Sequence, residues 1–326
     1  MLKDLTGRGL LIHHWDADGI CSASLILEHL KGKDIVNGAP VLGNYFLTEE
    51  ELVSFSKFDF IIIVDMNFPE DNIIRLSKKS KVMIFDHHLG KVIENVFHHN
   101  PVIKGENPDD YPSASWIVND YLGNDVNLFA LLGIVGDHEE KIKDNVRFYR
   151  LINDFCKVKN LTFDDLHRMV YLLDSNYKIG DKSSVEKAPN LLLKIEKPRD
   201  ILDNIEWNKN YELLEQEINK QINTPIEIFD EILIKRIDTS FNIISTVTRR
   251  IAWEKQKNTI VVNTGFFKDL DQLYVRTINK NMEPMIKRGK DFGFKCGGKK
   301  EVLGALVPKN QTDDFIREVK NFLKEE

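Results

Sequence analysis

Acidic residues and histidines fall in four short groups along the first half of the chain. They are His14-Trp15-Asp16-Ala17-Asp18-Gly19, then Asp65, then Asp86-His87-His88, and last Asp137 after Gly133-Ile134-Val135-Gly136. Taken singly, each has an ordinary explanation. Asp16 and Asp18 could cap a helix beginning near Gly19, Asp65 could sit in a turn, one ring of His87-His88 could be buried and the other exposed, and Asp137 could be a cap in a glycine turn. Together they suggest metal chemistry, because carboxylates gathered at one place raise one another's pKa unless a cation lies among them. Mixed Asp and His donors without thiolate suit Mn²⁺, with Mg²⁺ as the alternative, better than structural zinc. Two ions about 3.5 to 4 Å apart would need a bridging carboxylate, and they could activate water while clamping a phosphate oxygen.

The elements that must bring these groups together are visible as apolar runs. Leu10-Leu11-Ile12, Ile61-Ile62-Ile63-Val64 and Val82-Met83-Ile84-Phe85 read as buried strands, and each leads directly into one of the polar groups. Helices are predicted between them, over residues 20–30 and 69–80. Ser113 is positioned to cap another, and residues 128–135 are apolar enough to join the same core. This is the pattern of βα units around a mostly parallel sheet, in which ligand sites gather at the carboxyl ends of the strands.

The whole chain reads as α/β in two lobes: residues 1–175, a helical connector over 176–225, and a smaller α/β lobe over 226–326. In the second lobe, 226–237, 241–247, 259–262 and 273–278 are β-branched and strand-like. A last helix is predicted over 313–324, capped by Thr312 and buried through Phe315, Val319 and Phe322. From Glu231 to Glu301 basic residues outnumber acids roughly two to one, a balance suited to phosphate, although the net charge is −6.

Other classes find little support. There is no apolar run long enough for a membrane span, no signal-peptide pattern, and no GxSxG, Walker or Rossmann sequence. Three widely spaced cysteines, Cys21, Cys156 and Cys296, suggest neither disulfides nor a CxxC site, so a cytoplasmic location is expected. His98-His99 reads as surface loop and His167 as structural, whereas His138 and Glu139 adjoin a candidate ligand.

HWDADG, Asp65 after its strand, Asp86-His87-His88 and GIVGD, in this order and spacing, resemble the DHH phosphoesterase superfamily, in particular its RecJ-like branch and that branch's archaeal members. The resemblance covers roughly residues 10–140. It implies that His14, Asp16, Asp18, Asp65, His87 and Asp137 hold two Mn²⁺ ions, with Asp65 between them, His14 either as a ligand or in support, Asp86 orienting the site and His88 nearest the scissile phosphate. Water, rather than a side chain, would be the nucleophile.

The C-terminal part is similar to the DHH-associated substrate-binding domain. Its glycine stretch corresponds to Phe294-Lys295-Cys296-Gly297-Gly298-Lys299-Lys300, without the histidine usual there, and Arg276 stands where the family places a phosphate-binding arginine. Gly297, Gly298, Lys299, Lys300 and Arg276 are therefore the implied substrate contacts. Tyr274, Phe266 and Phe267 could stack on bases or belong to the core.

The implied activity is 3′ to 5′ release of mononucleotides from single-stranded RNA or DNA. Two alternatives are a phosphodiesterase for cyclic dinucleotides or short oligonucleotides, and a weakly active subunit that binds a partner nuclease or replication protein. A protein partner or oligomer completing the substrate cleft is compatible with the first.

Overall fold

In the computed structural model, which describes residues 1–324 apart from the side chain of Lys299, the chain forms two units. Unit 1 is Met1–Tyr177 with Asp181–Tyr211, and unit 2 is Lys178–Gly180 with Glu212–Glu326.

Unit 1 begins as the apolar runs predict. Its order is β1 (Gly9–His13), α1 (Ala17–His29), β2 (Ile35–Gly38), α2 (Glu49–Phe55), β3 (Phe60–Val64), α3 (Glu70–Ser77), β4 (Lys81–Phe85) and β5 (Phe97–His99). The helices α4 (Ala114–Leu122), α5 (Leu128–His138), α6 (Val146–Lys159), α7 (Phe163–Lys178) and α8 (Lys182–Leu192) follow. The strands make one parallel sheet in the order β2-β1-β3-β4-β5.

Every residue of β1 and β3 is buried, which is why these strands read as unbroken apolar runs rather than alternating ones. Leu10, Ile12, Ile61, Ile63 and Ile84 pack toward Leu52 of α2 and Ile73 and Leu76 of α3. Leu11, Ile62, Val64 and Met83 turn the other way, toward Ala23, Leu25 and Ile26 of α1 and Val118 of α4. A further helical layer gathers α1 and α4 through α8 around Ile20, Leu131, Phe148 and Leu166.

Helix α9 (Ile205–Ile222) leads into unit 2, which contains β6 (Glu227–Phe229), β7 (Ile232–Ile237), α10 (Ile244–Lys255), β8 (Asn258–Asn263), β9 (Leu270–Arg276), α11 (Glu283–Asp291), β10 (Lys295–Lys299), β11 (Val302–Pro308) and α12 (Thr312–Lys324). Its sheet runs β10-β11-β9-β8-β7-β6, antiparallel except between β7 and β8. One face packs on α11 and α12 through Met285, Phe315 and Val319. The other packs on α10 and the end of α9 through Val247, Ile251, Leu214 and Ile218.

Two expectations for this unit differ from the structure. Residues 241–247 are not a strand: from Ile244 they open α10, whose Ile244, Val247 and Ile251 share one buried face at helical spacing, so packing overrides their β-branched preference. Thr312 is the first residue of α12, and its hydroxyl donates to the Asp271 carboxylate (2.8 Å) and the Pro308 carbonyl (3.3 Å). Among the described residues no helix is long and apolar enough to cross a membrane.

Candidate metal centre

Strand register brings three of the four polar groups to one edge. His13 pairs with Val64, Val64 with Phe85, and Phe85 with His99, so the next residues, His14, Asp65, Asp86 and Asn100, leave the sheet side by side at its carboxyl end. Asp137 arrives differently. Gly133 and Gly136 do not form a turn. They lie inside α5, and Asp137 is in its last turn. A Cβ at Gly133 would stand 2.1 Å from Asp18 Oδ1 and 2.0 Å from Ser115 Oγ, so this glycine lets α5 lie close against α1 and α4.

The ligand atoms form two triads with no residue in common, His14-Asp16-Asp65 and Asp18-His87-Asp137, and a third, Asp65-His87-His88, that shares a residue with each. In the first, His14 Nδ1 stands 2.7 Å from Asp16 Oδ2 and 3.4 Å from Asp65 Oδ2. In the second, His87 Nε2 lies 3.0 Å from Asp137 Oδ2, with Asp18 within reach; all donor atoms of each triad fall within 4.8 Å of one another. Asp65 Oδ1 is also 3.6 Å from His87 Nε2, so its two oxygens face the two triads. Asp65 has φ 58°, a left-handed conformation uncommon outside glycine, which turns its carboxylate back over the strand ends.

These residues fit a bound cation better than they fit each other. Both ring nitrogens of His14 are buried without a hydrogen-bond partner among the described residues, although Nδ1 is close to Asp16. Short distances without hydrogen-bond alignment are what donors aimed at a common point would show. Burial, and then the charges of Asp18, Asp16 and Asp137, push the Asp65 carboxyl well above its usual range. Burial followed by Asp137 raises Asp18 to about 6. Burial opposes charge on the two rings, yet Asp16 raises His14 to about 9 and Asp137 raises His87 to about 10. The cluster thus collects positive charge wherever it can, which is the behaviour of an anionic ligand set for divalent ions.

Each carboxylate is also held in place. Asp16 Oδ1 accepts from Gly19 N–H (3.1 Å), so Asp16 caps α1 while its other oxygen faces His14. Fully buried Asp18 accepts from Ala114 N–H (2.7 Å) and Ser115 N–H (2.8 Å) at the start of α4. His88 belongs only to the third group, with Nδ1 3.9 Å from Asp65 Oδ1; its side chain is 46% exposed, and the same Nδ1 donates to Asp86 Oδ1 at 2.7 Å. Burial disfavours charge on Asp86, but His88 more than offsets it and holds the carboxyl below its usual range.

Sequence reasoning missed three supporting residues. Asn100, fully buried, donates to the His88 carbonyl (2.9 Å) and to Asp86 (3.4 Å). Asp174 accepts from Ala17 N–H at 2.9 Å. The His13 ring donates from Nδ1 to the His14 carbonyl (2.7 Å), and burial lowers its pKa to about 4. Only the register of β4 with β5 signals Asn100.

His98-His99 is not loop but β5, and the His138 ring donates to the Pro112 carbonyl at 2.8 Å.

The residues expected to touch substrate lie in unit 2. Arg276 ends β9, and Gly297 and Gly298 lie in β10. Gly298 has φ 152°, and a Cβ there would meet the Val302 carbonyl at 2.0 Å. Lys300 is exposed, while the side chain of Lys299 lies outside the described residues. Tyr274 is packed at the edge of the core, and Phe266 and Phe267 meet edge to face (4.7 Å) in the loop between β8 and β9 rather than in a strand.

Residues 10–145, within unit 1, match the family described as DHH family, N-terminal domain. No curated protein matches the chain. Among solved structures, RecJ in complex with Mn²⁺ from Thermus thermophilus is similar with a TM-score of 0.70 at 16% identity, over 97% of this chain and 52% of that one. The chain therefore spans about half the length of that protein. An exonuclease RecJ bound to manganese matches with a TM-score of 0.69 at 17% identity, over 98% and 91% of the two chains. A pGpG-specific phosphodiesterase, PggH, from Vibrio matches with a TM-score of 0.50 at 13% identity, over 96% and 97%.

Proposed function

We propose that the chain is a metal-dependent phosphodiesterase acting as a RecJ-like exonuclease, releasing mononucleotides from single-stranded RNA or DNA in the 3′ to 5′ direction. The observation that carries this reading is the pair of Asp/His triads joined through the two oxygens of Asp65. His14, Asp16 and Asp65 would hold one divalent ion; Asp18, His87 and Asp137, with Asp65, the other. Such ions, Mn²⁺ by preference, supply Lewis acidity toward a phosphate oxygen and lower the pKa of water.

The chain's own side chains do the rest. Asp86 fixes the tautomer and direction of His88 by accepting from its Nδ1, leaving Nε2 for a phosphate oxygen of the substrate. Asn100 keeps both in place. In unit 2, read as the DHH-associated domain, Arg276 offers a guanidinium whose buried Nε has no hydrogen-bond partner among the described residues. Gly297, Gly298 and Lys300 add exposed backbone and charge.

A second reading is a phosphodiesterase for cyclic dinucleotides or very short oligonucleotides. It is supported by the likeness to the pGpG-specific enzyme and by the lack of a histidine in the glycine stretch.

Hydrolysis of end-labelled RNA and DNA of several lengths tests both readings. Mononucleotides released progressively from the 3′ end of long strands support the exonuclease, whereas turnover confined to dinucleotides moves the chain to the second reading. No hydrolysis of any length with Mn²⁺ or Mg²⁺ refutes both.

A further inference from the structure

On one face of the unit 2 sheet, α10 lies chiefly on β8 and β9. The row Val261, Tyr274, Gly304, Gly297 runs outward across paired strands, from a buried residue through two half-buried ones to an exposed one. A Cβ on Gly297 would meet nothing within 4 Å, and one on Gly304 would lie 3.7 Å from the Tyr274 ring, so the two glycines leave a strip of open backbone beside Tyr274.

At its border stands Trp253, 52% exposed. The chain's other tryptophans, Trp15, Trp116 and Trp207, are only 3%, 8% and 1% exposed. Two guanidinium groups flank the indole: Arg276, 5.2 Å from the ring centre, and Arg249, one turn earlier on α10, at 5.3 Å. Arg276 has a buried Nε without a hydrogen-bond partner among the described residues, and the indole is the ring its guanidinium lies over. Both guanidinium groups also act on the Tyr274 hydroxyl, partly offsetting the upward push of burial on its pKa. A large exposed aromatic surface beside two oriented cations and an open backbone strip matches what a single strand presents: a base face next to a phosphodiester.

We propose that Trp253 is a stacking platform for one base of a single-stranded oligonucleotide, with Arg276 and Arg249 receiving the adjoining phosphate. This rests on reading the chain as an enzyme of single-stranded nucleic acid. It assigns Trp253 and Arg249 a part in holding the strand that neither the Asp/His groups nor the glycine stretch supplies.

The test uses the full chain in EDTA, with a labelled pentaadenylate followed by anisotropy and the intrinsic tryptophan fluorescence followed in parallel. Trp15 lies 4.3 Å from the His14 ring, so the part of the quenching that Trp253→Leu removes is what reports Trp253. The expected result has four parts. Pentaadenylate quenches the fluorescence, and inorganic phosphate does not. Trp253→Leu diminishes the quenching and weakens binding by about ten-fold. Trp253→Tyr recovers most of the affinity, and Arg276→Gln weakens binding while flattening its salt dependence by about one unit of slope.

Binding by Trp253→Leu equal to that of the unaltered chain, or quenching undiminished in it, overturns the platform. Hydrolysis of the same strand with Mn²⁺ separates the two failures. Unchanged KM for Trp253→Leu with turnover intact removes the platform alone, whereas no binding and no turnover by the unaltered chain removes the proposed function with it.

Discussion

Replacing Gly133 by alanine tests the packing that sets the metal centre. The new methyl would lie 2.0 Å from Ser115 Oγ, 2.9 Å from Ser115 Cβ and 2.1 Å from Asp18 Oδ1, against an ordinary contact of about 3.4 Å or more. None of these neighbours is free to yield. Ser115 is buried at the start of α4, and Asp18 is fully buried and holds two α4 backbone amides at 2.7 and 2.8 Å. Overpacking of this kind costs about 1–3 kcal/mol, of which the better helix propensity of alanine returns up to about 1 kcal/mol. Pushing α5 and α1 apart also moves Asp18 away from His87 and Asp137, so divalent-ion affinity should fall along with stability.

Gly136→Ala, one turn away in the same helix, is the control. Its methyl would be 3.3 Å from Ala17 Cβ and 3.7 Å from Val170, so only a few tenths of an ångström need be absorbed. Because the propensity gain is common to both, urea unfolding followed by far-UV circular dichroism, with Mn²⁺ titrated calorimetrically, should place Gly133→Ala about 1–3 kcal/mol below Gly136→Ala and with weaker ion binding. Equal stability and equal ion affinity of the two variants would refute the packing argument.

Further outcomes follow from other parts of the structure. Asp86→Asn should reduce turnover by about 10- to 100-fold while leaving ion stoichiometry unchanged, because Asp86 orients His88 and belongs to neither triad; kinetics and calorimetry on one preparation check this. Mn²⁺ at a hundred times its Kd should stabilise unit 1 by about 2.7 kcal/mol for each ion bound, visible as an upward shift in thermal unfolding that EDTA reverses. Lys235, almost wholly buried, donates to the Ile222 and Thr224 carbonyls at 3.1 and 2.6 Å, so Lys235→Met should destabilise unit 2 by about 1–3 kcal/mol in denaturant titration without altering Mn²⁺ binding.

The gathering of the candidate ligands was legible where it depends on strand ends. β1, β3 and β4 are buried on both faces, so they stand out as apolar runs, and the polar residues directly after them had to meet at one sheet edge. Asp137 was legible as a member but not in its setting, because two glycines in a helix look like a turn until the close approach of α1 and α4 explains them. Asn100 was hidden, since it follows a three-residue edge strand whose register is a tertiary property. The same is true of Asp174, which reaches Ala17 from a helix more than a hundred residues later. In unit 2 the β-branched residues before Arg249 pointed to a strand, and only burial of Val247 and Ile251 against Val261 decides for a helix. Trp253 was passed over for the same reason: its neighbours on α10 and β9 cannot be known before the helix is.

The most direct test of the two-triad centre is calorimetric titration of Mn²⁺ into the EDTA-stripped and dialysed chain, beside Asp65→Ala. Two ions per chain, with binding at both positions weakened in Asp65→Ala, is the expected result. No binding by the unaltered chain, or two ions bound as tightly by Asp65→Ala, would contradict it.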